Sequence, residues 1–199
     1  MDKKEGVVIL TSIIIFAYVI SFSSISLANF LISLLFATII IFTNVCSKKL
    51  IAHKKGYSVK TNFWHLQRYG IYPQNKFKKP SPVGTILPIF FSIISLGSIK
   101  FLALTETEIE KTKARTKHRF LYEERDVWRI LSIGALANLV LAILALLLNY
   151  PEIARYSADF TFWNMLPISQ LDGSKILFSS KLAWISLTIL SILFLLIVM

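Results

Sequence analysis

Only one cysteine, Cys46, occurs among the 199 residues. No internal disulfide can form, which excludes a secreted disulfide scaffold, and a lone thiol cannot by itself build a zinc cluster. Charge is scarce as well: 17% of residues are Asp, Glu, Lys or Arg, against about 25% in a typical soluble domain. Acids are the rarer sign, 11 against 22 Lys and Arg, for a formal net charge of +11. The scarcity is concentrated. From Gly6 to Ser47 there is no Asp, Glu, Lys, Arg or His at all. A soluble enzyme and a disordered chain are both excluded by that run.

What fills the gap is apolar side chain, 55% of the residues. At 1.5 Å per residue the uncharged run would span about twice a ~30 Å hydrocarbon core, so it must hold two helices. Ser21 to Ser26, with four serines in six residues, marks the turn between them. Lys3 and Lys4 before an apolar stretch, with Ser26-Leu27-Ala28 behind it, mimic a secretory signal. The run continues into Phe30-Leu31-Ile32, however, where a mature secreted chain would turn polar, so an uncleaved anchor is expected. Apolar segments fall at about 6–22, 28–50, 83–104, 130–149, 159–178 and 182–199. The expected fold class is therefore all-α: a polytopic membrane protein of about five to six apolar segments in a single domain, 1–199.

Two polar stretches interrupt the segments. Lys48 to Lys79 holds nine Lys/Arg and no acid, and 53–82 reads as a basic cytoplasmic loop. Glu106 to Arg129 carries seven Lys/Arg and six Asp/Glu, and 105–129 reads as a mixed-charge loop. Its alternation at Glu106, Glu108, Glu110, Lys111, Lys113 and Arg115 suits a solvated strand or hairpin better than an amphipathic helix. If 83–104 enters and returns, only Arg155 of the 22 basic residues lies on the far side. If it crosses, nine basic residues move outside. The positive-inside rule favours the re-entrant arrangement, with the N-terminus, 53–82, 105–129 and 179–181 cytoplasmic in a multi-pass cell-membrane protein and 150–157 opposite. Pro88, Gly97 and Lys100 suit a broken element; an ordinary spanning helix remains the alternative.

Basic residues interleaved with Phe63, Trp64, Tyr69 and Tyr72 could be read as a nucleic-acid surface. Beside two membrane segments, attraction to anionic headgroups explains them at about 1 kcal/mol per basic residue. A lipid bilayer is the expected partner, and nucleic acid is not.

Chemistry concentrates in Asn164-Met165-Leu166-Pro167-Ile168-Ser169-Gln170-Leu171-Asp172-Gly173. Pro167 breaks a helix, and Gly173 permits departure from regular geometry. Asp172 falls within an apolar run, where a carboxylate needs a partner, a proton or a metal. Capping of the following helix is the plainer role.

The pattern N-x-x-P-x-x-x-L-D-G resembles the signature of the site-2 protease family of intramembrane zinc metalloproteases. Gly134-Ala135-Leu136-Ala137-Asn138 is similar to that family's G-P-x-x-N segment, with Ala135 in place of Pro. The resemblance covers roughly 28–178 and implies a site-2 protease-like core with a helix broken at the L-D-G motif. It implies that Asp172, Asn138, Asn164, Pro167 and Gly173 line the site, Asp172 as a metal-ligand position. It also implies zinc in active relatives, held by the two histidines of H-E-x-x-H with the glutamate as general base.

Here that motif is lost. Asn44 and Lys48 stand at the histidine positions and Val45 at that of the glutamate. An amide is a poor zinc ligand, an ammonium is none, and valine cannot take a proton from water. His53, His65 and His118 offer no pair one helical turn apart. No cofactor and no catalysis are expected, and the chain reads as a pseudoprotease able to bind a transmembrane segment of another protein. The alternatives are an active metalloprotease with atypical ligands and a membrane scaffold or transporter subunit without that ancestry. With the metal gone, Asp172 needs a new partner. Lys48 is the expected one rather than Lys49, which points about 100° away. Otherwise Lys48 reaches the interface and backbone groups near Gly173 satisfy the carboxylate.

Overall fold

A computed structural model describes residues 3–23, 26–68, 76–111 and 124–198. Tyr69, Tyr72, His118 and the part of the mixed-charge stretch from 112 to 123 lie outside them. Seven helices are described: α1 (Lys3–Ser21), α2 (Leu27–Lys54), α3 (Val83–Ile94), α4 (Glu124–Leu147), α5 (Pro151–Met165), α6 (Asp172–Ser179) and α7 (Lys181–Val198). Four strands, β1 (Tyr57–Phe63), β2 (Leu66–Arg68), β3 (Lys76–Ser81) and β4 (Thr105–Lys111), make two antiparallel pairs, β1 with β4 and β2 with β3. Four helices are long and apolar enough to cross a membrane: Lys3–Ser21, Leu27–Lys54, Arg125–Leu147 and Lys181–Val198.

The chain is thus mostly helical rather than all-α. The alternation that suggested a strand near Glu106 is realised in β4, where Thr107 and Ile109 are buried while Glu108 and Glu110 face out. In β1, Tyr57, Val59 and Thr61 are buried in the same way, and the register sets Val59 opposite Ile109 and Thr61 opposite Thr107. One face packed and one solvated is what period-two alternation dictates. The basic stretch 53–82 is accordingly built from the end of α2 and three strands. Trp64 is buried and stacked on Phe101, ring centroids 6.4 Å apart, so it serves packing.

Local signals explain most helix ends. The serine-rich turn closes α1, and Ser26 opens α2 by accepting the Asn29 N–H at 3.1 Å. The apolar segment expected from 159 starts earlier, at Pro151. Proline in the first turn, followed by Glu152, is a strong start signal, and Asn149 before it takes a left-handed φ of 62°. Helix then stops at Met165 and resumes at Asp172, and Pro167 stands exposed in the break. Gly173 does not supply the unusual backbone there; Ser169 does, at φ 50°. Gly173 is helical and lies against Met165, where a Cβ would come within 2.2 Å of the carbonyl oxygen. Its role is close approach.

Segment 83–104 turns back on itself. α3 has 12 residues, about 18 Å of helix, too short for a ~30 Å core. After the turn at Leu96 and Gly97, both at positive φ, the chain returns without regular secondary structure until β4. Gly84 ends up against Leu104, where an added Cβ would be 2.2 Å from the carbonyl oxygen.

Candidate functional site

Three lysines in the last two turns of α2 and the cap residue Lys55 cluster at that end, and three of these four hold carboxylates from other elements. Lys48 pairs with Asp172 of α6. Lys49 reaches Glu5 of α1 at 2.7 Å. Lys55, which caps α2, reaches Asp126 of α4 at 2.6 Å, and the Tyr57 hydroxyl donates to the same carboxylate at 3.2 Å. Consecutive lysines diverge by about 100°, so Lys48 and Lys49 serve different neighbours. The expected choice of Lys48 over Lys49 as the partner of Asp172 is the one found.

The Lys48–Asp172 pair is deeply enclosed, the two residues only 4% and 3% exposed. Lys48 Nζ donates to Asp172 Oδ2 and, at 3.1 Å, to Thr107 Oγ1. Lys175, one turn after Asp172, donates from Nζ to the Thr107 carbonyl at 2.6 Å. One threonine of β4 is therefore held by two lysines. Asp172 begins α6 without capping it: Leu171 is the cap residue and no side chain closes that end. Asp172 Oδ1 lies buried with no hydrogen-bond partner among the described residues.

Gly134 explains how α2 and α4 close around the pair. A Cβ there would sit 2.3 Å from Lys48 Cε and 3.0 Å from Asn44 Nδ2. Asn44 and Lys48 thus both meet Gly134, the first residue of the Gly134–Asn138 segment. Val45 turns elsewhere, into the apolar cluster of Phe16, Ile20, Ile41 and Phe160. Asn138, one turn beyond Gly134, is fully buried; its backbone carbonyl accepts from Ser157 at 2.8 Å, and neither side-chain polar atom has a described partner. Asn164 is buried but spends its amide on its own helix, donating to the Phe160 carbonyl at 2.8 Å. Asn44, Lys48, Gly134 and Asp172 converge, therefore, whereas Val45, Asn164 and the exposed Pro167 do not join them.

Two participants escaped the sequence reading, Thr107 and Lys175. Thr107 had a signal, since it occupies an inward position in the Thr-Glu-Thr-Glu-Ile-Glu alternation. Lys175 follows Asp172 by three residues, the spacing of neighbours on a helix face.

As a metal centre the arrangement does not fit. An ammonium occupies the position facing the carboxylate, and its charge would repel a cation placed there. No group of three or more His, Cys, Asp or Glu positioned to hold a metal occurs among the described residues. No protein-family model matches this chain, and neither does any curated protein or solved structure.

Proposed function

We propose that this chain is a polytopic membrane protein of site-2 protease-like fold, with an ion pair standing where active relatives hold zinc, and that it binds transmembrane segments without cleaving them. The observation that carries the reading is the pairing of Lys48 with Asp172, beside a Gly134 that both Lys48 and Asn44 approach. Residues from three separate stretches of the chain, singled out by the family's motifs, are brought together there. A scaffold without that ancestry has no reason to bring them together.

The membrane part of the reading rests on the outer faces of the long helices. Val7 and Leu10 of α1, Leu31 and Leu35 of α2, Val140 and Leu144 of α4, and Leu193 and Leu196 of α7 are all exposed. Exposed apolar surface on that scale is costly in water and suits hydrocarbon.

Loss of catalysis follows from the same residues. Lys48 is committed to Asp172 and Thr107, and Val45 is packed among apolar side chains, so neither position supplies a group to activate a water. Purified protein is expected to carry no stoichiometric zinc by elemental analysis and to leave a transmembrane substrate intact in detergent. Zinc at one equivalent that disappears with Asp172→Ala, or cleavage by the unmodified chain, would overturn the reading in favour of an atypical metalloprotease.

A further inference from the structure

The hairpin formed by 83–104 is longer than its helix. Its starting level is fixed by hydrogen bonds: Gly84 N donates to the Trp64 carbonyl at 2.9 Å, and Trp64 N donates to the Leu104 carbonyl at 3.0 Å. Trp64, Gly84 and Leu104 therefore form one rung. The β2–β3 pair branches off at that rung, and β1 and β4 continue away from it.

Above the rung, β1 and β4 climb together to Tyr57 and Lys111. On the way Thr61 N donates to Glu5 at 3.0 Å and Thr107 accepts from Lys48. Both contacts lie at the end of the bundle where α1 begins and α2 finishes. Below the rung the chain runs the opposite way. α3 descends about 18 Å, and Gly97 then arrives at the α1–α2 turn, where a Cβ would be 3.0 Å from the backbone nitrogen of Ser23. Ser23 lies beyond the far end of α1; Glu5 and Ser21 alone are about 24 Å apart along that helix.

The return path agrees. Seven residue steps lead from Gly97 to Leu104, a reach of at most about 23 Å at the strand rise. Contacts with α5 follow in order along it. Lys100 Nζ donates to the Tyr156 hydroxyl at 3.2 Å, and Phe101 packs on Trp163 at 4.4 Å between ring centroids. Tyr156 in turn meets Phe36, about 18 Å along α2 from Lys48.

We infer that β1, α3 and β4 belong to one re-entrant hairpin that traverses the bundle from end to end, so that its tip, residues 95–99, emerges at the membrane surface opposite Lys60. The tip exposes Ser98 alongside the apolar Leu96 and Ile99. One continuous segment, 97–107, thereby joins the far surface to the threonine that holds Lys48.

The inference rests on the membrane-spanning reading above, and the test separates the two. In a Cys46→Ser background, Ser23→Cys, Lys60→Cys and Ser98→Cys are each exposed to a membrane-impermeant maleimide in intact cells, then after permeabilisation. Ser23→Cys and Ser98→Cys are expected to label in intact cells, and Lys60→Cys only after permeabilisation. Ser98→Cys behaving like Lys60→Cys, or labelling only once the protein is denatured, would overturn the hairpin while leaving the spanning helices in place. Ser23→Cys and Lys60→Cys labelling alike would overturn the spanning reading, and the sidedness of the tip with it.

Discussion

Lys48 concentrates the energetics of the site in one side chain. It is buried and donates both to the Asp172 carboxylate of α6 and to the Thr107 hydroxyl of β4. Removing one member of such a pair strands the other charge, at about 3–5 kcal/mol, while replacing both with apolar residues of similar volume is often near neutral. Lys48→Met and Asp172→Leu are each expected to destabilise by that amount, and the double variant to recover most of it. Thermal unfolding of the four proteins in detergent measures the coupling. Losses that simply add in the double variant would mean the pair is energetically idle. The pairing itself was legible in the sequence, because a motif placed Asp172 in an apolar run and an ammonium at the position facing it. For Thr107 the alternation signals only an inward position; which buried lysine it meets depends on how β4 lies across α2.

At the scale of elements, the α5–α6 break shows what proline and glycine each contribute. Pro167 and the left-handed Ser169 let the chain leave helical geometry, and Gly173 then lets α6 press its backbone onto the carbonyl of Met165. Trp184 of α7 donates its indole N–H to that carbonyl at 2.9 Å, which fixes Met165 from the other side. The obstruction facing a Cβ at position 173 is therefore backbone, held in place, and not the end of a flexible side chain. Gly173→Ala is expected to destabilise by about 1–3 kcal/mol, the range for overpacking, and to move Asp172 away from Lys48. Its thermal unfolding midpoint should drop accordingly, and an unchanged midpoint would show that the break can relax. The break was readable from Pro167 alone. The start of α5 was missed because apolar content was followed in preference to the Asn-Tyr-Pro-Glu start signal. The hairpin shape of 83–104 was anticipated from charge balance, but its reach depends on contacts such as Gly97 with Ser23 that no local pattern encodes.

For the whole molecule the open question is which of its two surface characters dominates, since +11 net charge and long apolar faces would bind a membrane by different physics. Basic residues near an anionic surface contribute about 1 kcal/mol each, an attraction that fades within a Debye length and is screened as salt rises. Apolar burial scales with area at about 25 cal/mol per Å² and does not weaken with salt. Many of the lysines are also already engaged: Lys48, Lys49 and Lys55 hold internal carboxylates, and Lys60 pairs with Glu110 at 2.8 Å. α7, by contrast, is enclosed along only 11% of its apolar window, and α2 along 33%. Those faces suit a hydrocarbon solvent whatever the basic stretch does. The protein is therefore expected to stay with the membrane pellet after molar salt and after alkaline carbonate, and to be released by detergent alone. Release by salt would make the basic stretch the anchor and the long helices something other than spans.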